Sequence, residues 1–528
     1  MSIPWWKSAV FYQIYPRSFA DSNGDGIGDL DGITAHLDYL GGAPNSLGVG
    51  AIWLNPINPS PLADWGYDVS DYCGVHPDFG GLAAFDRLVA KAHRRQIRVI
   101  VDLVPNHTSE QHPWFVASRS SRSNPKRDWY IWAPGPPDRP PNNWQSLFGG
   151  PAWKYDAPTG EWYLHMFLEQ QPDLNFRNPA VVAAMHDVIR FWLDRGADGF
   201  RIDVISQLIK DARLRDNPLR ADADPHIPLA ARGTQIPVYS TDQPEVHELI
   251  RGFRRVLDGY PGDRMMVGET WPREANGLAD YLRADELQLG FNFRFLFCPY
   301  DANKFRAAIE DTERTFGAGA WPTWTLSNHD FPRHVTRYSR HGGDGEARAR
   351  VAVMMLMTLR GTPFIYYGEE LAMPNVESAA ERKRDPVGRD GCRSPMQWSD
   401  APNGGFANAG VTPWLPCGDF TSVNAARQAG DPRSMLSLYR RLIKMRAAMP
   451  VLVEGGYRGF DGAPEDCLVY FREIAGSRAM VALNFTTEPR EIKPVEGKLV
   501  MSTNADRIDE PIHGTLRLAP NEGALLAL

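Results

Sequence analysis

Short apolar runs recur along the first two thirds of the chain, and most are followed by a loop and a helical pattern. Eight runs have the length and residue types of β-strands: Val10–Ile14, Ala51–Leu54, Arg98–Val104, Gly199–Val204, Met265–Gly268, Leu287–Phe293, Thr323–Leu326 and Phe364–Tyr367. Helices are predicted at Gly81–Arg95, Pro179–Arg195, Pro244–Leu257, Asp301–Thr315 and Gly345–Arg360. Eight strands that alternate with helices predict an α/β fold, a (β/α)8 barrel of the TIM-barrel type.

Two segments depart from this alternation. Residues 106–176 are rich in Pro, Asn, Trp and Arg and are too long for one loop, which predicts an inserted domain after strand 3. Beyond the last helical pattern, strand-like runs separated by turn residues predict a C-terminal all-β domain, a β-sandwich at 456–528. The catalytic barrel is therefore expected to comprise residues 1–105 and 177–455.

Bulk composition excludes several classes of protein. The formal net charge is −7, which argues against nucleic acid or an anionic membrane as the main partner. The first residues lack the apolar core of a signal peptide, and no run of about 18 apolar residues predicts a membrane span. The five cysteines form no regular framework, so free thiols are expected. We therefore expect a cytoplasmic enzyme with no organic cofactor, either a monomer or a homodimer.

Carboxylic acids stand at the ends of several predicted strands, where barrel enzymes carry their chemistry. Strand 4 ends in Arg201-Ile-Asp203, strand 5 in Gly-Glu269, and strand 7 in His329-Asp330. Retaining cleavage of a glycosidic bond needs a nucleophilic carboxylate and an acid/base about 5 Å apart. Asp203, kept ionised by Arg201, is expected to be the nucleophile, and Glu269, in a less polar setting, the acid/base. Asp330 would stabilise the positive transition state.

At these positions the sequence resembles the α-amylase superfamily of glycoside hydrolases. Four segments are similar to the family signatures, in the family order: Asp102-Leu-Val-Pro-Asn-His107, Gly199-Phe-Arg-Ile-Asp203, Gly268-Glu269 and Ser327-Asn-His-Asp330. Gln13-Ile-Tyr-Pro-Arg-Ser-Phe19 and Arg389-Asp-Gly-Cys-Arg-Ser-Pro-Met-Gln-Trp398 resemble the oligo-1,6-glucosidase and α-glucosidase branch. The resemblance implies cleavage of short α-glucosides from their non-reducing end.

The same resemblance implies a pocket that takes one terminal glucose. Asp64 and Arg393 match the pair that closes it, with Arg389 as an alternative partner. The remaining sugar-binding positions implied are Tyr67, His107, Phe167, Gln171, Arg201 and His329. Val204, directly after the nucleophile, goes with α-1,6 links in similar enzymes, although a barrel-core role is an equal alternative. Trp65 departs from the family, where Asn is frequent.

A loop after strand 1 carries oxygen ligands at alternating positions: Asp21, Asn23, Asp25, Ile27 through its carbonyl, and Asp29. Hard cations such as Ca²⁺ or Mg²⁺ prefer such donors. We expect a structural metal here, with a polar turn as the alternative.

Other functions remain open with the same acids. Capture of the glucosyl-enzyme by a sugar hydroxyl would make a transglucosidase, a sucrose isomerase or a trehalose synthase. The segment Phe331-Pro-Arg-His-Val-Thr-Arg337 lacks the pattern associated with sucrose isomerases. A non-catalytic transporter-associated protein is disfavoured because the chain keeps all three acids and no membrane span is predicted.

Overall fold

The computed structural model describes residues 3–219, 234–272, 277–317 and 319–528. With strands numbered along the chain, the barrel consists of β1 (Phe11–Ile14), β2 (Ala51–Leu54), β3 (Arg98–Leu103), β7 (Gly199–Ile202), β8 (Met265–Gly268), β9 (Leu289–Gly290), β10 (Thr323–Thr325) and β11 (Thr362–Tyr366). All pairings are parallel, in the order β10-β11-β1-β2-β3-β7-β8-β9. These eight strands form a nearly closed barrel, which confirms the predicted fold class.

Two strands end two or more residues earlier than predicted, for identifiable reasons. β7 stops before Asp203, and Val204 has a φ of 35°, a left-handed conformation that a β-branched residue rarely adopts and that turns the chain out of the sheet. β9 covers two residues because the Asn292 side chain accepts a hydrogen bond from the Phe295 amide and so begins a helix immediately.

The α-helices of the described residues are α1 (Trp5–Ser8), α2 (Leu30–Ala35), α3 (Leu37–Leu40), α4 (Gly81–Arg94), α5 (Pro113–Ser120), α6 (Pro179–Asp194), α7 (Val246–Asp258), α8 (Phe293–Leu296), α9 (Ala302–Phe316), α10 (His334–Ser339), α11 (Gly345–Thr358), α12 (Ala425–Ala429), α13 (Met435–Ala448) and α14 (Pro450–Glu454). Of these, α5 belongs to the segment between β3 and β7. In α4 the predicted apolar face, Phe85, Leu88, Val89 and Ala92, is buried. The barrel interior is filled by strand residues such as Phe11, Trp53, Ile100 and Phe364.

The segment between β3 and β7 contains a small antiparallel sheet in the order β4-β6-β5: β4 (Trp132–Pro134), β5 (Trp153–Asp156) and β6 (Glu161–Leu164). It has its own apolar cluster, which includes Trp144, Trp153 and Trp162. The proposed boundaries of the inserted domain enclose this sheet.

The last part of the chain is entirely antiparallel: β12 (Gly456–Gly459), β13 (Cys467–Ile474), β14 (Ser477–Asn484), β15 (Arg490–Ser502), β16 (Glu510–Leu518) and β17 (Gly523–Ala527). The predicted all-β C-terminal domain is therefore confirmed. All six strands are hydrogen-bonded into one sheet rather than two separate ones, and the long β15 pairs with both β16 and β17. No helix in the described part of the chain is long and apolar enough to cross a membrane.

Candidate active site

The centre of the candidate site is the guanidinium group of Arg201 on β7. Its Nη1 donates to Asp203 Oδ1 at 2.6 Å and to Asp102 Oδ1 at 2.9 Å, while Nη2 donates to Glu269 Oε2 at 2.5 Å. The three carboxylates come from the carboxyl ends of neighbouring strands β3, β7 and β8, where parallel strands deliver side chains to one face. One buried cation therefore holds three carboxylates together.

Burial dominates the electrostatics of this cluster. It raises the pKa of Asp203 well above its usual range; Arg201 opposes this change, and the nearby charge of Glu269 adds to it. Burial also raises the pKa of Asp102 to about 6, again against the pull of Arg201. The expectation that Arg201 keeps Asp203 ionised is thus incomplete, because its single charge is shared among three carboxylates. Such a cluster titrates as a unit and can keep a proton between two of its members.

Asp330 and His329 lie beyond the end of β10 and complete the acidic face. Asp330 Oδ2 is 3.1 Å from His329 Nε2. Burial opposes ionisation of Asp330, but contacts with His329, Arg389 and Arg393 hold its pKa well below the usual range. Burial lowers the pKa of His329 well below its usual range. Asp330 is therefore held ionised, in contrast to Asp102 and Asp203, whose pKa values burial raises.

Tyr67 lies between Asp102 of the Arg201 cluster and His329. Its ring stacks on His329, with 5.4 Å between centroids and 8° between planes, and its hydroxyl lies 2.6 Å from His329 Nε2. The same hydroxyl donates to Asp102 Oδ2 at 3.1 Å. The sequence-predicted residues Tyr67 and His329 are thus brought together with the catalytic candidates.

One side of the site, here called the end wall, is formed by Asp64, Arg389 and Arg393. Its contacts differ from the expected Asp64–Arg393 pair. Arg389 Nη2 donates to Asp64 Oδ1 at 2.5 Å, and its Nη1 donates to Asp330 Oδ1 at 3.1 Å. Arg393 is fully buried and donates instead to Asp330 Oδ1 and to the His329 carbonyl. Asp385, which binds Arg389 at 2.5 Å and lies 3.5 Å from Arg393, holds both guanidinium groups on the same segment. Arg389, the alternative, is therefore the partner of Asp64.

The other side of Asp64 is held by the inserted segment. Gln171 Nε2 donates to Asp64 Oδ2 at 3.0 Å and lies 3.1 Å from His107 Nε2. Burial lowers the pKa of His107 to about 4, so it is neutral at pH 7. The ring of Phe167 packs beside that of His107, with 4.9 Å between the ring centroids. These four predicted residues form one continuous wall.

Val204 lies at the edge of the carboxylate cluster. It is 4% exposed, and its amide donates to Glu269 Oε2 at 3.3 Å. Because its positive φ is unfavourable for a β-branched residue, the surrounding contacts must hold this turn in place.

The predicted metal loop is curled by its own hydrogen bonds. Asp21 accepts from the amides of Gly24 and Gly26, and Asp25 accepts from that of Ile27. Asp29 caps α2 through the Gly32 amide. Across the described ranges, no three His, Cys, Asp or Glu side chains converge as a metal site. A cation here would therefore depend on the Asn23 amide oxygen and the Ile27 carbonyl as well.

Besides Asp385, sequence reasoning left three residues out of the site. Asp102 binds Arg201; the Trp53 indole donates to Asp102 at 3.2 Å and its ring lies under the Arg201 guanidinium; and the Trp271 indole donates to Glu269. Asp102 and Trp53 could have been found from the sequence, because alternate residues of a strand share a face and these two fall on the inward-facing positions of β3 and β2. Trp271 has no such signal, since it lies in a loop.

A parallel barrel with carboxylates at its strand ends, an internal guanidinium group and the nearby Asp64–Arg389 ion pair is typical of an enzyme that acts on a polar small molecule. The family described as alpha amylase, catalytic domain, matches residues 13–455. The chain belongs to the alpha-amylase family and is a glycoside hydrolase.

Several relatives are similar over nearly their full length. A probable alpha-glucosidase of Rhizobium meliloti (strain 1021) is 44% identical, with 93% of each chain covered. An oligo-1,6-glucosidase of Parageobacillus thermoglucosidasius is 39% identical, covering 91% of this chain and 90% of the relative. The crystal structure of the alpha-glucosyl transfer enzyme XgtA matches with a TM-score of 0.93 and 42% identity, covering 100% of both chains.

Proposed function

We propose that the protein is a retaining, exo-acting α-glucosidase that releases terminal glucose from short α-1,6- and α-1,4-linked glucosides. The observation that carries the proposal is the single Arg201 guanidinium that binds Asp203 through one nitrogen and Glu269 through the other. Two carboxylates held on one guanidinium are consistent with the about 5 Å spacing of retaining enzymes, whereas inverting enzymes leave room for a water.

In the proposed reaction, Asp203 attacks the anomeric carbon while Glu269 protonates the departing oxygen. A covalent glucosyl-enzyme forms, and Glu269 then removes a proton from the incoming water, which releases glucose with net retention. Asp330, held ionised by Arg389 and Arg393, stabilises the positive charge that develops on the sugar ring.

The end wall supports exo action on small substrates. Asp64 is held between Arg389 and Gln171 by short hydrogen bonds, so the pocket is closed beyond the terminal sugar. A carboxylate beside a guanidinium group offers both acceptors and donors to sugar hydroxyls. We infer that isomaltose, maltose and sucrose enter, and that long starch chains do not.

The second candidate is glucosyl transfer to a sugar acceptor with the same catalytic residues. The observation that favours it is the similarity to the alpha-glucosyl transfer enzyme XgtA at 42% identity. The named relatives at 44% and 39% identity are glucosidases, and they favour hydrolysis. Val204 goes with α-1,6 links in similar enzymes, and its amide contacts Glu269 at the edge of the cluster. We propose a preference for α-1,6 links on this resemblance.

The decisive experiment is product analysis with maltose, isomaltose, sucrose and trehalose, using the wild type and Asp203→Asn. We expect glucose from the first three with the wild type and a loss of about 10⁴-fold or more in the variant. Absence of products from all four substrates with folded wild-type enzyme would refute the proposal. Oligosaccharide products in place of glucose would favour the transferase alternative.

We further propose a structural Ca²⁺ or Mg²⁺ in the loop of Asp21, Asn23, Asp25, Ile27 and Asp29, on the chemistry of its hard oxygen donors. We also propose a cytoplasmic location. All five cysteines are free thiols, three of them buried, which suits a reducing compartment.

A further inference from the structure

The indole of Trp271 contacts the proposed acid/base directly. Trp271 Nε1 donates to Glu269 Oε1 at 2.9 Å. The opposite oxygen, Oε2, accepts from Arg201 Nη2 at 2.5 Å and from the Val204 amide at 3.3 Å. Both oxygens of this carboxylate are therefore held, each by a different part of the site.

The position of the indole is itself fixed. Its ring stacks on Phe293, with 4.0 Å between centroids and 10° between planes. The backbone amide of Trp271 donates to Ser206 Oγ at 3.2 Å, which anchors the loop after β8 to the segment after β7. A donor held by stacking and by a backbone contact can impose a direction on the group it binds.

The donor types decide which oxygen can carry the catalytic proton. The guanidinium, peptide and indole N–H groups only donate, so none of them can accept a proton from Glu269. Oε2 already accepts from two donors, one of them charged, and protonation there would place a hydrogen against them. Oε1 accepts from one neutral donor and keeps a second lone pair.

We propose that Oε1 is the reacting oxygen of Glu269, and that Trp271 is a positioning residue that directs its proton towards the leaving group. This inference rests on the proposed function. The Oε1–H bond breaks as the glycosidic oxygen takes the proton and leaves with the electron pair of the broken carbon–oxygen bond. In the second step, Oε1 takes a proton from water, and the Trp271 N–H stabilises the carboxylate throughout.

The charged contacts of Glu269 lie on the Oε2 side. Arg201 binds Oε2 directly, and the same guanidinium group also binds Asp203, just beyond the end of β7, and Asp102 on β3. The neutral indole N–H of Trp271 contacts the other oxygen, Oε1. Removal of the indole N–H therefore leaves the charged contacts in place and frees the direction of Oε1.

The test is Trp271→Phe, which keeps an aromatic ring for stacking and removes the N–H. We expect kcat on maltose to fall about 10-fold, with a much smaller change in KM, because the indole acts on the proton transfer rather than on sugar binding. The first step with α-glucosyl fluoride, measured by release of fluoride, should fall much less, because fluoride leaves without protonation. Trp321→Phe is the matched control: its indole donates to Thr362 Oγ1 at 3.0 Å, away from the carboxylates.

The possible outcomes separate this inference from the function on which it rests. If wild-type enzyme cleaves no α-glucoside, the proposed function fails. If the wild type is active but Trp271→Phe keeps its kcat on maltose, or loses the same factor on maltose and on the fluoride, the positioning role is wrong.

Discussion

Buried arginines are used in opposite ways in two regions of the molecule. In the active site, Arg201 is 2% exposed and binds three carboxylates. Between the barrel and the C-terminal sheet, Arg446 and Arg472 are just as buried, but they donate to backbone carbonyl groups, which include those of Leu452 and Gly361. The first cation organises charge for chemistry, whereas the other two bind backbone carbonyl groups near the ends of helices α11 and α14.

The electrostatic consequences differ accordingly. Burial lowers the pKa of Arg446 to about 9, and the nearby charge of Arg472 adds to this effect. Burial also lowers the pKa of Arg472 to about 10, where the charge of Arg360 adds to the effect. The pKa of Arg201 is raised well above its usual value: burial acts against its charge, but Asp102 and the other acids outweigh it. Replacing Arg201 should therefore lower the rate of the reaction, whereas replacing Arg446 or Arg472 should lower the stability of the fold.

The largest effect is expected from Arg201→Met. Without the guanidinium group, the three carboxylates repel one another, and protonation of Asp203 removes the nucleophile. We expect kcat/KM on maltose to fall by about 10³-fold or more, measured at several pH values. The matched change Arg458→Met, on the exposed face of the C-terminal sheet, should leave activity unchanged. Substantial activity in Arg201→Met would show that the carboxylate cluster does not depend on this cation.

The next largest effect is expected from Arg472→Met. The carbonyl groups of Thr358, Leu452 and Gly455 lose their donor, and unsatisfied buried acceptors cost about 1–3 kcal/mol each before relaxation. The melting temperature should fall by several degrees, while KM and kcat at 25 °C stay within about twofold.

Arg478→Met is the control for that experiment, since Arg478 lies on the same sheet but pairs with Glu473 at the surface. Its melting temperature should match that of the wild type. A loss of activity in Arg472→Met without a loss of stability would contradict the assigned difference between the two regions.

A smaller effect is expected from Arg389→Gln in the end wall. Asp64 and Asp330 lose a shared cation, so binding of the terminal sugar weakens. We expect KM for maltose to rise about 10- to 100-fold, with a smaller change in kcat. Arg384→Gln, an exposed arginine of the same segment, is the control. An unchanged KM in Arg389→Gln would contradict the placement of the end wall.

These regions also show what the sequence could predict. Strand periodicity and acids at strand ends predicted the barrel and gathered Asp203, Glu269 and Asp330, because parallel strands deliver their ends to one face. The choice between Arg389 and Arg393 depended on a loop whose path is fixed by Asp385, four residues from one and eight from the other. Arg446 and Arg472 left no sequence signal, because their partners are backbone carbonyl groups, which every residue carries.

The smallest effect is expected at the proposed metal loop. This loop differs from both arginine regions because it brings acidic side chains together without a basic side chain among them. Chelation with EDTA should lower the melting temperature by about 2–5 °C and leave the rate on maltose nearly unchanged, and added Ca²⁺ or Mg²⁺ should reverse the shift. Asp25→Asn should show the lower melting temperature without chelator, whereas Asp38→Asn, an aspartate paired with Arg95 at the surface, should not. Elemental analysis that finds no bound metal, together with no response to EDTA, would leave the loop as a polar turn held by its own amides.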